Sequence, residues 1–439
     1  MARDLSSLRG APLVLVPQHF GSIVYDRRTC QYLPFDHEAT SVFRSLSSSP
    51  LAEPLKTCGD PASRRGLLGF FDQYYSLGFF TIDERFAGRI LDVQPPADHL
   101  AGPLTVHLEV TARCNLRCCH CFADAPNVTD EQAELSLEEL DGLFAEMAAC
   151  GSFRLGLTGG EPLLRQDIIE IISLAENHGL SPCLTTNGLL VTEHLASAFA
   201  KHNLAWLNVS LEGATPATHD AVRGAGTFDQ VQEAIKILRR HVAFSLAFTV
   251  TRRNYRELES CAKLAREVGA QAAVFRPLYP VGRARYQPEY RLTLAEYREA
   301  IASLARMGLS GEATLCDVHP WSPQSRGRSQ SVLSVNFGCG AANSVCSVSA
   351  SGAVSPCSFL GPEAVAGNLR EASLQRIWHT SEVFRRIRDL PGDSRCVRCS
   401  DFDLCGGGCR ARALALVPQA TWNSPDPWCM AELSAILED

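Results

Sequence analysis

Between Leu104 and Phe275, short apolar runs recur along the chain, separated by longer amphipathic stretches. The runs Leu104–Val110, Arg154–Leu157, Pro182–Thr186, Trp206–Leu211, Phe244–Val250 and Ala272–Phe275 predict strands. The stretches Leu137–Ala149, Gln166–Asn177, Thr192–His202, Phe228–Arg239 and Tyr255–Val268 carry a helical period. Six strands alternating with five or six helices read as an α/β fold with parallel strands, either a βα barrel or an open sheet.

The flanks read differently. In residues 1–95, Leu13–Val16 and Ser22–Tyr25 predict a strand pair, His37–Leu46 and Arg64–Leu77 predict helices, and Gly78–Ile82 predicts a short strand. That order suggests a winged-helix shape. Gln94–Gly102, with two adjacent prolines, reads as a linker, and 104–276 as the α/β unit. Residues 277–336 form a less regular connection with a helix at Leu294–Met307 and an exposed Ser/Arg/Gln-rich loop at Ser322–Ser331. Residues 337–439 are rich in Cys and Gly with little periodicity, as when metal centres replace an apolar core.

Composition narrows the function. The 439 residues are 46% hydrophobic, ample for a sizeable core, and the net charge of −7 offers nucleic acid no basic footprint. No apolar run approaches the ~18 residues of a membrane span, and the first residues lack a signal-peptide pattern, so a cytoplasmic protein is expected. Eighteen cysteines in a reducing compartment point to metal rather than to disulfides. Isolated ones such as Cys150 and Cys183 read as small buried hydrophobes.

Just after the first strand, Cys114, Cys118 and Cys121 have the spacing C-x3-C-x2-C. A 4Fe-4S cube normally takes four thiolates, so three leave one iron open to an outside ligand. Zinc would need a fourth protein ligand, for which His120 is poorly spaced. Further loops at the carboxyl ends of strands, where α/β folds bind ligands, carry Thr158-Gly159-Gly160-Glu161-Pro162, Thr186-Asn187-Gly188 and Ser210-Leu211-Glu212-Gly213. Each alone reads as an ordinary turn.

Together these motifs resemble the radical SAM superfamily over residues 104–276. The resemblance implies a partial (β/α)6 TIM barrel in which Cys114, Cys118 and Cys121 bind the cluster and S-adenosylmethionine occupies the open iron. It assigns Gly159, Gly160 and Glu161 to the methionine amino group, and Asn187, Ser210, Glu212 and Arg223 to the ribose or carboxylate. The implied chemistry is reductive cleavage to a 5′-deoxyadenosyl radical that abstracts hydrogen from a substrate, fed by an electron donor such as flavodoxin or ferredoxin.

Downstream come Cys339, Cys346, Cys357, Cys396, Cys399, Cys405, Cys409 and Cys429, enough thiolates for two cubes. Several zinc sites are the plain alternative, because zinc ribbons use similar C-x2-C pairs. With Gly352 five positions before Cys357, the spacing resembles the SPASM domain of radical SAM peptide-modifying enzymes. That resemblance implies one auxiliary cluster on Cys339, Cys346, Cys357 and Cys409, and another on Cys396, Cys399, Cys405 and Cys429, three clusters in all.

The N-terminal unit resembles the winged-helix, PqqD-like peptide-recognition domain, through Phe35-Asp36-His37-Glu38-Ala39 and Leu77-Gly78-Phe79-Phe80. The resulting expectation is a maturase of ribosomally made precursor peptides, recognised by their leader and crosslinked, epimerised or oxidised. A sulfatase-type formylglycine maturase is the second reading, weakened because Ser358 stands where those enzymes carry Asp. A non-catalytic iron-sulfur, peptide-binding scaffold is the third. Candidate acids, bases or anion contacts are Cys316, Asp317 and His319, near Trp321, and Arg276 just past the sixth strand.

Overall fold

The computed structural model describes residues 10–125, 134–307, 313–315, 339–390, 394–399, 402 and 406–428. The N-terminal unit is a four-stranded sheet of β1 (Leu13–Gln18), β2 (Gly21–Asp26), β3 (Gln31–Phe35) and β4 (Gly88–Ile90), in the order β3-β2-β1-β4. Helices α1 (His37–Ser48), α2 (Ala52–Thr57) and α3 (Pro61–Tyr75) lie between β3 and β4. Asp36 caps α1 by accepting from Ala39 N at 2.8 Å, and Asp60 caps α3, whose first residue is proline. The expected strand at Gly78–Ile82 reduces to an isolated bridge between Phe80 and Phe86, whereas β3 escaped the sequence pattern.

Strands β1 and β2 are buried on both faces. Successive side chains point to opposite sides, so Leu13, Leu15 and Val24 join the core under α1 and α3, while Val14, Val16, Ile23 and Tyr25 join the main core. The N-terminal sheet is thus clamped onto the rest of the molecule. Tyr25 stacks on Phe153 at 5.0 Å and donates its hydroxyl to Ser181 Oγ at 2.7 Å. Tyr32 Oη accepts from Phe153 N at 2.6 Å, and Arg154 Nε donates to the Cys30 carbonyl at 2.7 Å. Gly151, at φ 83°, ends a helix against Val16, where an added Cβ would lie 2.5 Å from a valine methyl.

The central strands are β5 (Thr105–Thr111), β6 (Arg154–Gly159), β7 (Ser181–Thr186), β8 (Trp206–Ser210), β9 (Ser245–Val250) and β10 (Ala273–Pro277), each parallel to the next. Helices α4 (Leu137–Cys150), α5 (Ile168–Asn177), α6 (Glu193–Phe199), α7 (Pro216–Arg223), α8 (Thr227–His241) and α9 (Leu258–Glu267) intervene, followed by α10 (Leu294–Arg306) and β11 (Ala313–Leu315), which pairs parallel with β10. Strand alternation is strict: Val106, Leu108, Leu155, Leu157, Leu184, Val209, Leu246 and Phe275 are fully buried in the main core. His107, Glu109, Thr158, Thr185, Asn208, Ser210 and Thr249 take the opposite face and are only half-buried. A parallel sheet buried on both faces is normally apolar on both, so this polar face marks a lined cavity.

The C-terminal region departs from expectation. Strand β12 (Val345–Val348) pairs parallel with β5 and antiparallel with β13 (Ala353–Ser355), which pairs with β14 (Gly367–Asn368), so they extend the central sheet to ten strands. Helices α11 (Leu374–Thr380) and α12 (Glu382–Arg388) add Trp378 and Phe384 to the main core, and Trp378 Nε1 donates to the Leu100 carbonyl at 2.8 Å. An apolar core, not metal alone, holds this part. Two short helices follow, α13 (Ser394–Val397) and α14 (Arg410–Leu416). Among the described residues no helix is long and apolar enough to cross a membrane.

Replacing Tyr25 by alanine is expected to lower the unfolding free energy by about 3 kcal/mol, the usual cost of emptying a buried aromatic site. Denaturant unfolding of parent and Y25A measures it; an unchanged midpoint would mean that the sheet is not clamped as described.

Candidate functional site

The polar face of β5–β10 opens at the carboxyl ends of the strands into a cleft of about 1150 Å³, mouth included. Cys114, Cys118 and Cys121 all line it, together with Gly159, Gly160, Glu161, Asn187, Ser210, Glu212, Arg223 and Arg276. Cys119 points elsewhere and packs against Val222, Leu278, Ala284 and Tyr290.

The cysteine loop is held from three sides. Gly160 N donates to Thr111 O at 2.9 Å and Glu161 N to Arg113 O at 2.8 Å. A Cβ on Gly159 or Gly160 would fall 2.2 or 2.1 Å from those carbonyl oxygens. The glycines are therefore required first for contact between two loops. From beyond β10, Arg283 donates its Nε to Cys118 O at 3.0 Å and its backbone N to Cys121 O at 2.9 Å. The third hold is Glu212, fully buried at the end of β8.

Glu212 Oε1 lies 3.2 Å from His120 Nε2 and accepts from Arg223 Nη2 at 2.6 Å and Nε at 3.0 Å; Oε2 accepts from Thr249 N at 2.8 Å. Burial by itself would raise this carboxyl, but His120 and Arg223 outweigh it and hold Glu212 well below the usual carboxylate range. Arg223 is correspondingly shifted up, its own burial overcome by Glu212. Glu161 is also buried, and burial pushes its carboxyl up. Its oxygens accept from Thr186 Oγ1 at 2.6 Å, Asn187 N at 2.7 Å and Leu163 N at 3.1 Å, so the carboxylate braces the Asn187 loop. Asn187 Nδ2 in turn donates to Asn115 Oδ1 at 2.7 Å.

The residues fit an iron-sulfur cluster with a bound polar cosubstrate. Burial pushes the Cys118 thiol up to about 11, a state that metal ligation reverses by taking up the thiolate. Leu116 N points at Cys114 Sγ at 3.4 Å, a donor suited to a ligating sulfur. Among the described residues no three His, Cys, Asp or Glu side chains close on a single ion position. Asn208 Oδ1 and His120 Nδ1 line the cleft, buried and without a hydrogen-bond partner in the protein. Asn208 and Arg283 escaped the sequence reading, which weighed His120 only as a zinc ligand, although Asn208, polar between Leu207 and Val209, carried a signal in the strand alternation.

Downstream, Cys339 is electrostatically close to both Cys357 and Cys409, and Arg276 is close to Cys357. Cys346 is placed apart from them. It stands beside Val106 in β5, on the face that Val348, Leu108 and Val354 also take, 0% exposed in the main core and facing Cys150. A cysteine count cannot reveal which face of a strand a thiol takes. Cys396 and Cys399 sit one turn apart, with Cys399 N donating to Cys396 O at 2.9 Å. Cys316, Asp317, His319, Cys405 and Cys429 lie outside the described residues.

Residues 108–265 match the radical SAM superfamily and residues 339–400 an iron-sulfur cluster-binding domain. An AdoMet-dependent heme synthase from Methanosarcina barkeri is 33% identical over 347 residues, 75% of this chain and 97% of that one. The mycofactocin maturase MftC of Mycolicibacterium smegmatis is 30% identical over 337 residues, 75% of this chain and 83% of its own length. Among solved structures, Streptococcus suis SuiB bound to S-adenosylmethionine superposes with a TM-score of 0.69 at 16% identity, covering 96% of this chain and 100% of that one. SuiB bound to its precursor peptide SuiA gives 0.71 at 15% identity.

Glu212→Gln is expected to cost about 3–5 kcal/mol, because it leaves Arg223 buried without its counter-charge. The folded carboxyl titrates below its unfolded value, so the gap between parent and variant is full above about pH 5. It shrinks as the pH falls below about 4.3, where the unfolded chain takes up the proton. Denaturant unfolding at several pH values checks both; a gap independent of pH would point to packing instead.

Proposed function

The chain belongs to the radical SAM superfamily, and from that premise we propose that it is a peptide maturase, with its S-adenosylmethionine cluster on Cys114, Cys118 and Cys121 and auxiliary iron-sulfur sites downstream. The observation that carries the reading is the presence of these three thiols in one cleft with the Gly159–Glu161 loop. When bound, the cluster supplies the electron that splits the sulfonium bond to give methionine and a 5′-deoxyadenosyl radical. The chain's own residues then position and shield.

In this reading the six parallel strands form a partial (β/α)6 barrel over residues 104–276. The backbone of Gly159 and Gly160 faces the methionine amino group, while Asn187, Ser210 and the Glu212–Arg223 pair order the carboxylate and ribose. Glu161 acts one step back, bracing Asn187. Asn208 Oδ1 and His120 Nδ1 supply further polar contacts in the cleft. The electron comes from a flavodoxin- or ferredoxin-type donor.

The peptide half of the reading is supported by residues 1–95, read as a winged-helix recognition unit. Strand β3 is an edge strand of the N-terminal sheet, and an extended leader could add beside it, with main-chain bonds giving affinity and pockets giving choice. Likeness in fold to SuiB over 96% of this chain agrees with such an arrangement. The 33% identity to a heme synthase favours a second reading, a porphyrin substrate in the same cleft. A formylglycine maturase is less well supported, because the residue after Cys357 is Ser358.

The test is anaerobic reconstitution, reduction with S-adenosylmethionine, and mass analysis of two kinds of candidate substrate: short peptides encoded near the gene, and iron-coproporphyrin. The proposal expects about twelve irons per chain, 5′-deoxyadenosine, and a mass change in the peptide only. A change in the porphyrin alone would favour the second reading, and absence of 5′-deoxyadenosine would leave a scaffold.

A further inference from the structure

The segment that leaves β10 straddles the cysteine loop. Leu278 and Ala284 pack with Val222 and Cys119 on one side of it, whereas Tyr279 and Val281 cluster with Phe122 and Phe359 on the other. Between these anchors Gly282 takes φ 58°, and a Cβ there would fall 2.3 Å from Phe122 O and 2.5 Å from Cys121 O. Glycine lets the backbone lie this close to the loop, and it does so one residue before Arg283.

Arg283 reaches along the loop. Its backbone N donates to Cys121 O at 2.9 Å, its Nε to Cys118 O at 3.0 Å, and its Nη1 to Ala125 O at 3.1 Å and Asp124 Oδ1 at 3.0 Å. One residue thus ties the backbone of two motif cysteines to the far end of their loop. It also brings a positive charge to that backbone. The Arg283 side chain is only 17% exposed, whereas its carboxylate partner Asp124 is 58% exposed and better screened by water. A cluster that takes one electron from its donor gains one negative charge, and a cation beside it favours that reduced state.

We propose that Arg283 is a positioning residue for the S-adenosylmethionine cluster: it fixes the loop from Cys118 to Ala125 and, through its charge, raises the cluster's reduction potential. This rests on the reading of Cys114, Cys118 and Cys121 as the cluster ligands. It gives the segment after β10, which carries no cysteine of the motif, a part in how readily the radical is made.

The test is a redox titration of the full reconstituted chain followed by electron paramagnetic resonance. The signal to read is the one that changes when S-adenosylmethionine is added, which separates this cluster from any downstream one. Arg283→Gln is expected to keep that signal and to titrate at a more negative potential than the parent. Arg283→Lys, which keeps the charge, stays near the parent value. A fully loaded R283Q with the parent's potential, or an R283K displaced as far as R283Q, would overturn the electrostatic role. Asp124→Asn gives a second reading should R283Q lose its iron. It leaves the Arg283 bonds to both cysteine carbonyls in place, and asparagine suits the left-handed backbone at this position, φ 49°. With the offsetting carboxylate gone, D124N should titrate at a less negative potential; an unchanged or more negative value there counts equally against the proposal. A parent protein without any signal sensitive to S-adenosylmethionine would instead remove the cluster reading itself, and this proposal with it.

Discussion

One buried carboxylate holds the cleft together. Glu212 accepts from Arg223 at the end of α7, from the backbone of Thr249 on β9, and lies against His120 within the cysteine loop, while Asn254 holds its carbonyl at 2.8 Å. A lone carboxylate in such a place would be protonated or expelled; the Arg223 guanidinium, the facing His120 and a backbone donor keep it charged. Because its partners come from separate elements, the carboxylate fixes the cysteine loop relative to β8 and β9. The cysteine loop is thereby held against the glycine loop at the mouth of the strands.

The same logic of paired faces runs through the molecule. Along β5–β10 one face is apolar against the helices and the other polar toward the cleft, so the sheet that builds the core also supplies the binding groups. In the N-terminal sheet both faces are apolar, one row for its own helices and one for the central body. That second row makes the N-terminal unit an integral part of the structure. Removing residues 1–95 would bare apolar surface as well as any peptide site, so the two effects would be confounded; changes along the β3 edge separate them.

The central elements were legible in the sequence because each carries its own period: all six central strands lie within two residues of where alternation placed them. The cysteine loop, the glycine loop, Asn187, Ser210, Glu212 and Arg223 all line the cleft. What was not legible depends on pairing between distant residues. Strand β12 joins β5 across more than two hundred residues, and no local pattern announces it. Pro34 disguised β3, which needs few ladder bonds on its outer edge. Helix α7, only Pro216–Arg223, is too short to show a period. The surroundings of Cys346 were hidden for the same reason as β12: its neighbours are set by register, not by spacing to the next cysteine.

The central claim is that Cys114, Cys118 and Cys121 leave one iron for S-adenosylmethionine in this cleft. Electron-nuclear double resonance of the reduced protein, loaded with S-adenosylmethionine labelled with 15N in its amino group and 17O in its carboxylate, addresses it directly. Hyperfine coupling from both labels to the cluster, abolished by Cys118→Ala, is the expected result. A reduced cluster that shows neither coupling would contradict the account.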